Sequence, residues 1–255
     1  MKDSFDPTDS ATIKLMAGHY NNYSGDAFMQ HTSEPTTMSN FITSADIPYE
    51  VISFNEGEML FKEGDQPQGL YVLKAGCVKM FVNREHSRGR TTSPEYVTKL
   101  LSPGEVFGYK SLIFNEPNLA FAKAIKKTTV WLYKKDAIVQ LLNSVHPIVR
   151  SILEQAVLDI RGFEKTSQLH YLASVQERIA YQLVVLGDRF GVKTDRGISL
   201  NLKLTRNEFA QLASTINESL SRHLTEFKNE GLIDLNGKEI IILNREGLAE
   251  KSGNF

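Results

Sequence analysis

Leu204-Thr-Arg-Asn-Glu-Phe-Ala-Gln-Leu-Ala-Ser-Thr-Ile-Asn-Glu-Ser-Leu-Ser-Arg-His-Leu224 constrains this chain more than any other stretch. It fits two short amphipathic helices joined by a tight turn. Phe209, Ala210, Leu212 and Ala213 form an apolar face at helical spacing. Thr205 followed by Glu208 is a capping box, which sets the start of the first helix. Ser214-Thr215 interrupts the pattern. A second helix then places Ile216, Leu220, Leu224 and Phe227 inward and Asn217, Glu218, Ser221, Arg222 and Lys228 outward. A scaffold helix followed by a helix with such a polar face is a helix-turn-helix, whose second helix fits a DNA major groove.

Next comes Leu232-Ile-Asp-Leu-Asn-Gly-Lys-Glu-Ile-Ile-Ile-Leu243, with Asn236-Gly237 between two β-rich runs, a strong hairpin signal. A hairpin directly after a recognition helix reads as a wing. The pattern alone also fits an ordinary helical hairpin beside a β-hairpin, with no nucleic acid involved.

The 255 residues make one large or two ordinary domains, and a hydrophobic content of 41% supports real cores. The net charge of −1 announces no polyanion partner, and acids and bases also nearly balance after Leu172. DNA binding must therefore rest on local placement, as with Lys203, Arg206, Arg222 and Lys228. The single cysteine, Cys77, excludes an intrachain disulfide and opposes a four-thiolate iron–sulfur cluster. Neither a signal peptide nor a membrane-length apolar run is present, so a cytoplasmic protein without membrane association is expected.

Residues 1–45 read as a polar, irregular or partly disordered arm, with one short helix at Ala11–Ala17. A β-roll or sandwich follows over 46–145. Its expected strands are Tyr49–Phe54, Met59–Phe61, Gly69–Leu73, Cys77–Val82, Tyr96–Leu101, Ala120–Ile125 and Thr128–Tyr133. Asn83–Pro94, with Arg84, Arg88 and Arg90, reads as a solvated hairpin tip. Over 146–172 the period becomes helical. Leu153, Ala156, Ile160, Phe163, Ser167 and His170 form a coiled-coil seam, the simplest use of which is a homodimer interface. Val149, Ile152 and Val157 lie on other faces and are expected against the roll; burial of both faces within one chain is the alternative. Residues 173–255 hold a helix from about Ser174 to Gly187, a turn-rich link at Asp188–Gly197, a strand at Ile198–Leu204, and the winged helix. The fold class is α+β.

In this order, Gly57-Glu-Met-Leu-Phe-Lys-Glu-Gly-Asp65 with Leu70-Tyr-Val-Leu-Lys-Ala-Gly-Cys-Val-Lys79, and then the helix-turn-helix, resemble the Crp/Fnr family of bacterial transcription regulators over roughly residues 48–248. The resemblance implies a cyclic-nucleotide-binding-like β-roll, a long dimerisation helix, a C-terminal winged helix-turn-helix, and RNA polymerase as a further partner. Cyclic-nucleotide-binding members hold the ribose with a Glu and the phosphate with an Arg–Ser pair. The matching segment, Gly104–Ala124, keeps Phe107-Gly108 but has Tyr109 at the Glu position and Asn118 and Leu119 at the Arg and Ser positions. A phosphate without its Arg is poorly compensated, so cyclic AMP is not expected to bind in the usual way. Phe107, Gly108, Tyr109, Lys110, Asn118 and Leu119 mark the candidate effector pocket. Lys110 and Lys123 are candidates to replace the charge, although each also reads as a surface lysine. A small buried residue is expected at Cys77. No cofactor follows from the sequence, which leaves another ligand, or none.

For DNA reading, Asn217, Glu218, Ser221 and Arg222 form the base-reading set. Arg222 suits guanine O6 and N7, and Glu218 suits a cytosine amino group or orients Arg222 as an i,i+4 ion pair. Thr205, Arg206, Ser219 and Lys228 are phosphate candidates. Glu–x–x–Ser–Arg resembles the Fnr-type helix, which implies TTGA-like half-sites arranged as an inverted repeat for a two-fold dimer. Where the family usually has Gly in the turn, this chain has Ser214. Two rival functions remain: a degenerate sensor acting through protein contacts, and an enzyme. Against the enzyme, the sequence has no phosphate loop, metal-ligand spacing or nucleophile elbow. Its carboxylate pairs, Glu56 with Glu58 and Glu63 with Asp65, flank turn glycines.

Overall fold

The computed structural model describes residues 47–83, 95–142, 147–200, 202, 204–253 and 255. The expected arm, the loop bearing Arg84, Arg88 and Arg90, and Lys203 lie outside the described residues. The described ones all fall within one unit, Pro35–Phe255.

Two antiparallel four-stranded sheets form the N-terminal roll. One runs β1 (Glu50–Phe54), β8 (Thr128–Lys134), β3 (Gly69–Ala75), β6 (Val106–Phe107). The other runs β2 (Met59–Phe61), β7 (Phe121–Ala124), β4 (Val78–Asn83), β5 (Glu95–Leu101). Leu73, Val78, Leu101, Ala122, Ala124, Val130 and Leu132 fill the space between them, with Phe61, Tyr71 and Phe107 as an aromatic group. The rings of Tyr71 and Phe107 stack at 5.1 Å. A second core lies outside the first sheet. There α1 (Tyr109–Phe114), α2 (Lys135–Leu142) and the start of α3 (Pro147–Leu172) cover Leu70, Val72 and Tyr133 through Tyr109, Leu112, Ile138, Ile148 and Ile152.

The period-4 and period-3 apolar spacing of α3 distributes differently from expectation. Leu153, Ile160 and Phe163 are 63%, 57% and 73% exposed, and His170 is exposed. Ser167 is half-buried, and Ala156 packs against the core of the roll rather than completing the ridge. Of Val149, Ile152 and Val157, Ile152 meets the roll beside Ile148, while Val149 and Val157 remain exposed. What fixes α3 to the roll further along is polar. Asp159 accepts from Tyr109 Oη at 2.8 Å and pairs with Lys110 at 2.9 Å and Lys99 at 3.2 Å.

The C-terminal part begins at α4 (Val175–Phe190), capped by a Ser174/Glu177 capping box. It continues through β9 (Val192–Thr194), β10 (Gly197–Leu200), α5 (Arg206–Leu212), α6 (Asn217–Asn229), β11 (Ile233–Asn236), β12 (Glu239–Ile242) and α7 (Arg245–Lys251). The expected link at Asp188–Gly197 is instead the end of α4 and a strand. Val192 and Lys193 pair with Ser199 and Ile198, and Thr194 with Gly197, so a hairpin absorbs the segment. The strand expected to reach Leu204 ends at Leu200. The sheet order is β11-β12-β10-β9. In the wing, Asn236 pairs with Glu239, so Gly237-Lys238, not Asn236-Gly237, is the two-residue loop. Gly237 has φ 61°, the positive φ that the first loop position of a II′ turn needs.

The two parts meet along β5, the edge strand of its sheet. Gln211 of α5 accepts from Val97 N and donates to Glu95 O, both at 3.0 Å, so a side chain completes the strand's open edge. Beside it Lys79, only 4% exposed, pairs with Glu95 at 2.5 Å and with Glu208 of α5. Burial pulls the Lys79 ammonium down, but Glu208 and Glu95 outweigh it and hold it above the usual lysine value. Arg189 of α4 donates to Leu100 O at 2.9 Å and pairs with Glu105. No helix among the described residues is long and apolar enough to cross a membrane.

Candidate nucleic-acid interface

The helix-turn-helix is built by local rules. Thr205 Oγ1 accepts from Glu208 N at 3.2 Å, while Glu208 Oε2 accepts from Thr205 N at 2.7 Å, and α5 starts there. It ends in a Schellman motif. Ser214 N donates to Gln211 O at 2.9 Å and Thr215 N to Ala210 O at 2.8 Å. The residue that must turn left-handed is Ser214, with φ 49°. The motif usually places glycine there, and the left-handed conformation costs another residue about 1–2 kcal/mol. Ile216, expected inward, is instead the N-cap of α6 and is exposed. Leu220, Leu224 and Phe227 alone bury the inner face.

That leaves Asn217, Glu218, Ser221 and Arg222 together on the exposed face of α6. Ser219 is half-buried at its rim. The expected Glu218–Arg222 pair does not form. Arg222 points the other way along the helix, with Nε 3.9 Å from Glu226 and a terminal nitrogen 3.4 Å from His223 Nε2. His223 Nδ1 is 2.6 Å from Glu226, so that carboxylate is shared between two side chains. Sequence spacing offers Arg222 both carboxylates, and it does not show that His223 ties Glu226 down.

The phosphate candidates divide. Thr205 is exposed at the start of α5, whereas Arg206 is half-buried and donates to Gly237 O in the wing turn at 3.3 Å. Thr205, Arg206 and Lys238 lie at one shallow cleft whose remaining lining is apolar, Leu202, Leu204 and Phe209 among it. Lys238, exposed at the wing tip, was not among the sequence candidates, although its place beside Gly237 in a hairpin turn is a sufficient signal. Lys228 lies 3.1 Å from Asp234, which also holds Arg196, so part of its charge is already neutralised.

In the roll, Gly108 has φ 84°, and a Cβ there would stand 2.9 Å from the Tyr71 ring. Past this sharp turn Tyr109 and Lys110 face α3, and both end on Asp159, while Phe107 stays in the core between the sheets. Burial raises Tyr109, and neighbouring Asp159 raises it further, so the phenol stays a donor. Asn118 is buried, its backbone paired with Gly64 and Asp65, while Leu119 is 74% exposed. Asn118 and Leu119, adjacent in the chain, thus differ sharply in exposure. Lys110 is exposed and paired with Asp159; Lys123, expected on the surface, is half-buried and paired with Glu95 at 2.7 Å. Cys77 is fully buried, and burial pushes its thiol up to about 12. Glu58 and Asp65 accept from Asn55 N and Lys62 N, as loop-closing carboxylates do.

Residues 51–145 match the cyclic nucleotide-binding domain family, and residues 177–251 match the Crp-like helix-turn-helix domain family. The chain is 26% identical over 201 residues to the CRP-like cAMP-activated global transcriptional regulator of Mycobacterium tuberculosis, covering 79% of this chain and 87% of that protein. It is 26% identical over 199 residues to the fumarate and nitrate reduction regulatory protein of Yersinia pestis, covering 78% and 77%. Among solved structures, FixK2 from Bradyrhizobium japonicum shares the fold, with a TM-score of 0.67 and 21% identity over 82% of this chain and all of that one. A match to the cyclic nucleotide-binding domain family followed by one to the Crp-like helix-turn-helix domain family, over a span shared with these two regulators, makes this chain a member of the Crp/Fnr family of transcription regulators.

Proposed function

We propose that two copies of this chain pair along α3 and read an inverted repeat of TTGA-like half-sites. The observation that carries the reading is the α6 face of Asn217, Glu218, Ser221 and Arg222, exposed together on a helix whose opposite face is fully packed. The exposed ridge Leu153, Ile160 and Phe163 supports pairing, since covering each side chain contributes about 1.5–3 kcal/mol. Lys238 joins Thr205, Arg206, Ser219 and Lys228 as a backbone contact. The protein acts in the cytoplasm, touches RNA polymerase from its DNA site, and catalyses no reaction.

The relative from M. tuberculosis is named as cAMP-activated. Here the residues do not fit that ligand. Tyr109 stands where a ribose acceptor is required and already donates to Asp159. Asn118 is buried in the backbone pairing of a turn, and Leu119 brings neither charge nor hydroxyl. No step of the function is assigned to cyclic AMP, and a single cysteine does not furnish an iron–sulfur cluster.

The test is fluorescence anisotropy of purified protein, without added ligand, on a duplex carrying the inverted TTGA repeat and on a scrambled duplex, at two salt concentrations. Tight binding to the first that weakens with salt supports the reading. Equal, weak binding to both overturns the half-site assignment, and selection from random duplexes then finds the true site. A rise in melting temperature with millimolar cyclic AMP overturns the ligand argument.

A further inference from the structure

We infer that Arg178 is a positioning residue of the helix-turn-helix: its guanidinium holds the left-handed turn at Ser214, and through it the angle at which α6 presents Arg222. The inference rests on the reading that α6 faces DNA.

The backbone accounting of the turn carries it. The Schellman motif satisfies Ala210 O and Gln211 O, and Ala213 N donates to Phe209 O at 3.1 Å. Past Leu212, the carbonyls that flank the left-handed residue are Ala213 O and Ser214 O. Both are taken by one side chain, Arg178 Nε at 3.2 Å and a terminal nitrogen at 3.1 Å. The other terminal nitrogen donates to Ala173 O at 2.7 Å, between α3 and α4. A planar fork with donors on two edges makes all three bonds at once, which a lysine ammonium does not reproduce.

The base of the fork is itself fixed. Arg178 sits in the first turn of α4, with its amide donating to Ser174 O at 3.0 Å, and Ile179, Ala180 and Leu183 beyond it are fully buried. Its guanidinium carries positive charge to the C-terminal end of α5, where the helix dipole favours it. The need for such a clamp follows from the residue in the turn. Glycine adopts positive φ unaided, whereas serine must be held there. Arg178 holds it by binding the carbonyls on either side of the Ser214 nitrogen and Cα. Because the same guanidinium grips Ala173, the turn is tied to the junction after α3, and the two segments move as one.

The experiment is a double-mutant cycle in the full-length protein: wild type, Arg178→Met, Ser214→Gly and the double variant. Each is measured for affinity on the inverted TTGA duplex relative to the scrambled one, and for its urea unfolding midpoint. Arg178→Met is expected to lower the specific affinity about tenfold, the size of a typical coupling between contacting groups. Ser214→Gly alone changes it by less than about twofold, yet recovers most of the loss in the Arg178→Met background, because glycine needs no clamp. Equal shifts from Ser214→Gly in both backgrounds overturn the inference, since a merely structural arginine gives additive effects. If wild type does not distinguish the duplexes, the half-site reading fails separately. The urea midpoints then decide: a larger gain from Ser214→Gly in the Arg178→Met background sustains the clamp, and equal gains end it. Should Arg178→Met not fold, Arg178→Lys takes its place, with the same rescue expected.

Discussion

Arg222 rests on partners that hold it lightly. Its distance of 3.9 Å from Glu226 on an exposed helix face is an ion pair of small value, and His223 already occupies that carboxylate. On the proposed reading, swinging to a guanine edge therefore costs little, and the bidentate contact is the gain. Arg222→Ala should weaken binding to the repeat by about 1–3 kcal/mol and relax discrimination at one base pair per half-site, measured by anisotropy on single-substituted duplexes. Lys238→Ala should act differently. It lowers affinity evenly across sequences and reduces the salt slope by about 1 for each phosphate left without its ammonium. At Cys77, full burial and a thiol pushed up to about 12 leave almost no thiolate at neutral pH. A disulfide reagent should label it slowly in the native protein and rapidly in denaturant. Fast native labelling would mean that the β-roll opens far more readily than its packing implies.

Among the elements, α3 is fixed to the roll by a buried charge as much as by apolar contact. Burial alone would raise Asp159, but Lys99, Lys110 and the Tyr109 hydroxyl outweigh it and hold the carboxyl at about 2. A free aspartate titrates near 3.9. The depressed value means that the group contributes stability above about pH 4, a contribution that disappears as pH falls toward 2. Urea midpoints between pH 2 and 5 should show this acid limb in wild type. Asp159→Asn should lower the midpoint at pH 5 and flatten the slope.

The element scale also shows what the sequence made legible. Met59–Phe61 is a strand with the boundaries expected, and α5 starts where its capping box says, because both signals are local. Asp188–Gly197 misled because its turn residues are the loop of a hairpin whose partner, Gly197–Leu200, carries the apolar alternation. Ala156 read as seam because its spacing is right; only the roll, distant in sequence, shows that it faces inward. Asn217, Glu218, Ser221 and Arg222 follow from helical spacing alone. Arg178 and Lys79 had no signal of their own, since their partners are backbone carbonyls or carboxylates distant in sequence, whereas His223 and Glu226 stand at i,i+3 on one helix.

For the whole molecule, the proposed function joins the exposed ridge of α3 and the exposed polar face of α6 in one assembly. Phe163→Glu places a charge at the C-terminal end of that ridge. It should convert the dimer to monomer in sedimentation velocity, and lower affinity for the full repeat while leaving a single half-site duplex almost unaffected. A monomer that still binds the full repeat as tightly as wild type would place the dimer contact elsewhere. The roll and the DNA-binding part share their polar groups: Glu208 caps α5 and pairs with Lys79, and Gln211 completes β5. If α5 lifts away, Glu208 keeps Thr205 and Lys79 keeps Glu95, so neither charge is stranded. The backbone of β5 has no such reserve at Val97 N and Glu95 O. Any state in which the DNA-binding part leaves the roll bares a strand edge ready to pair with the same edge of another copy, so the docked helix also shields the protein against sheet-to-sheet aggregation.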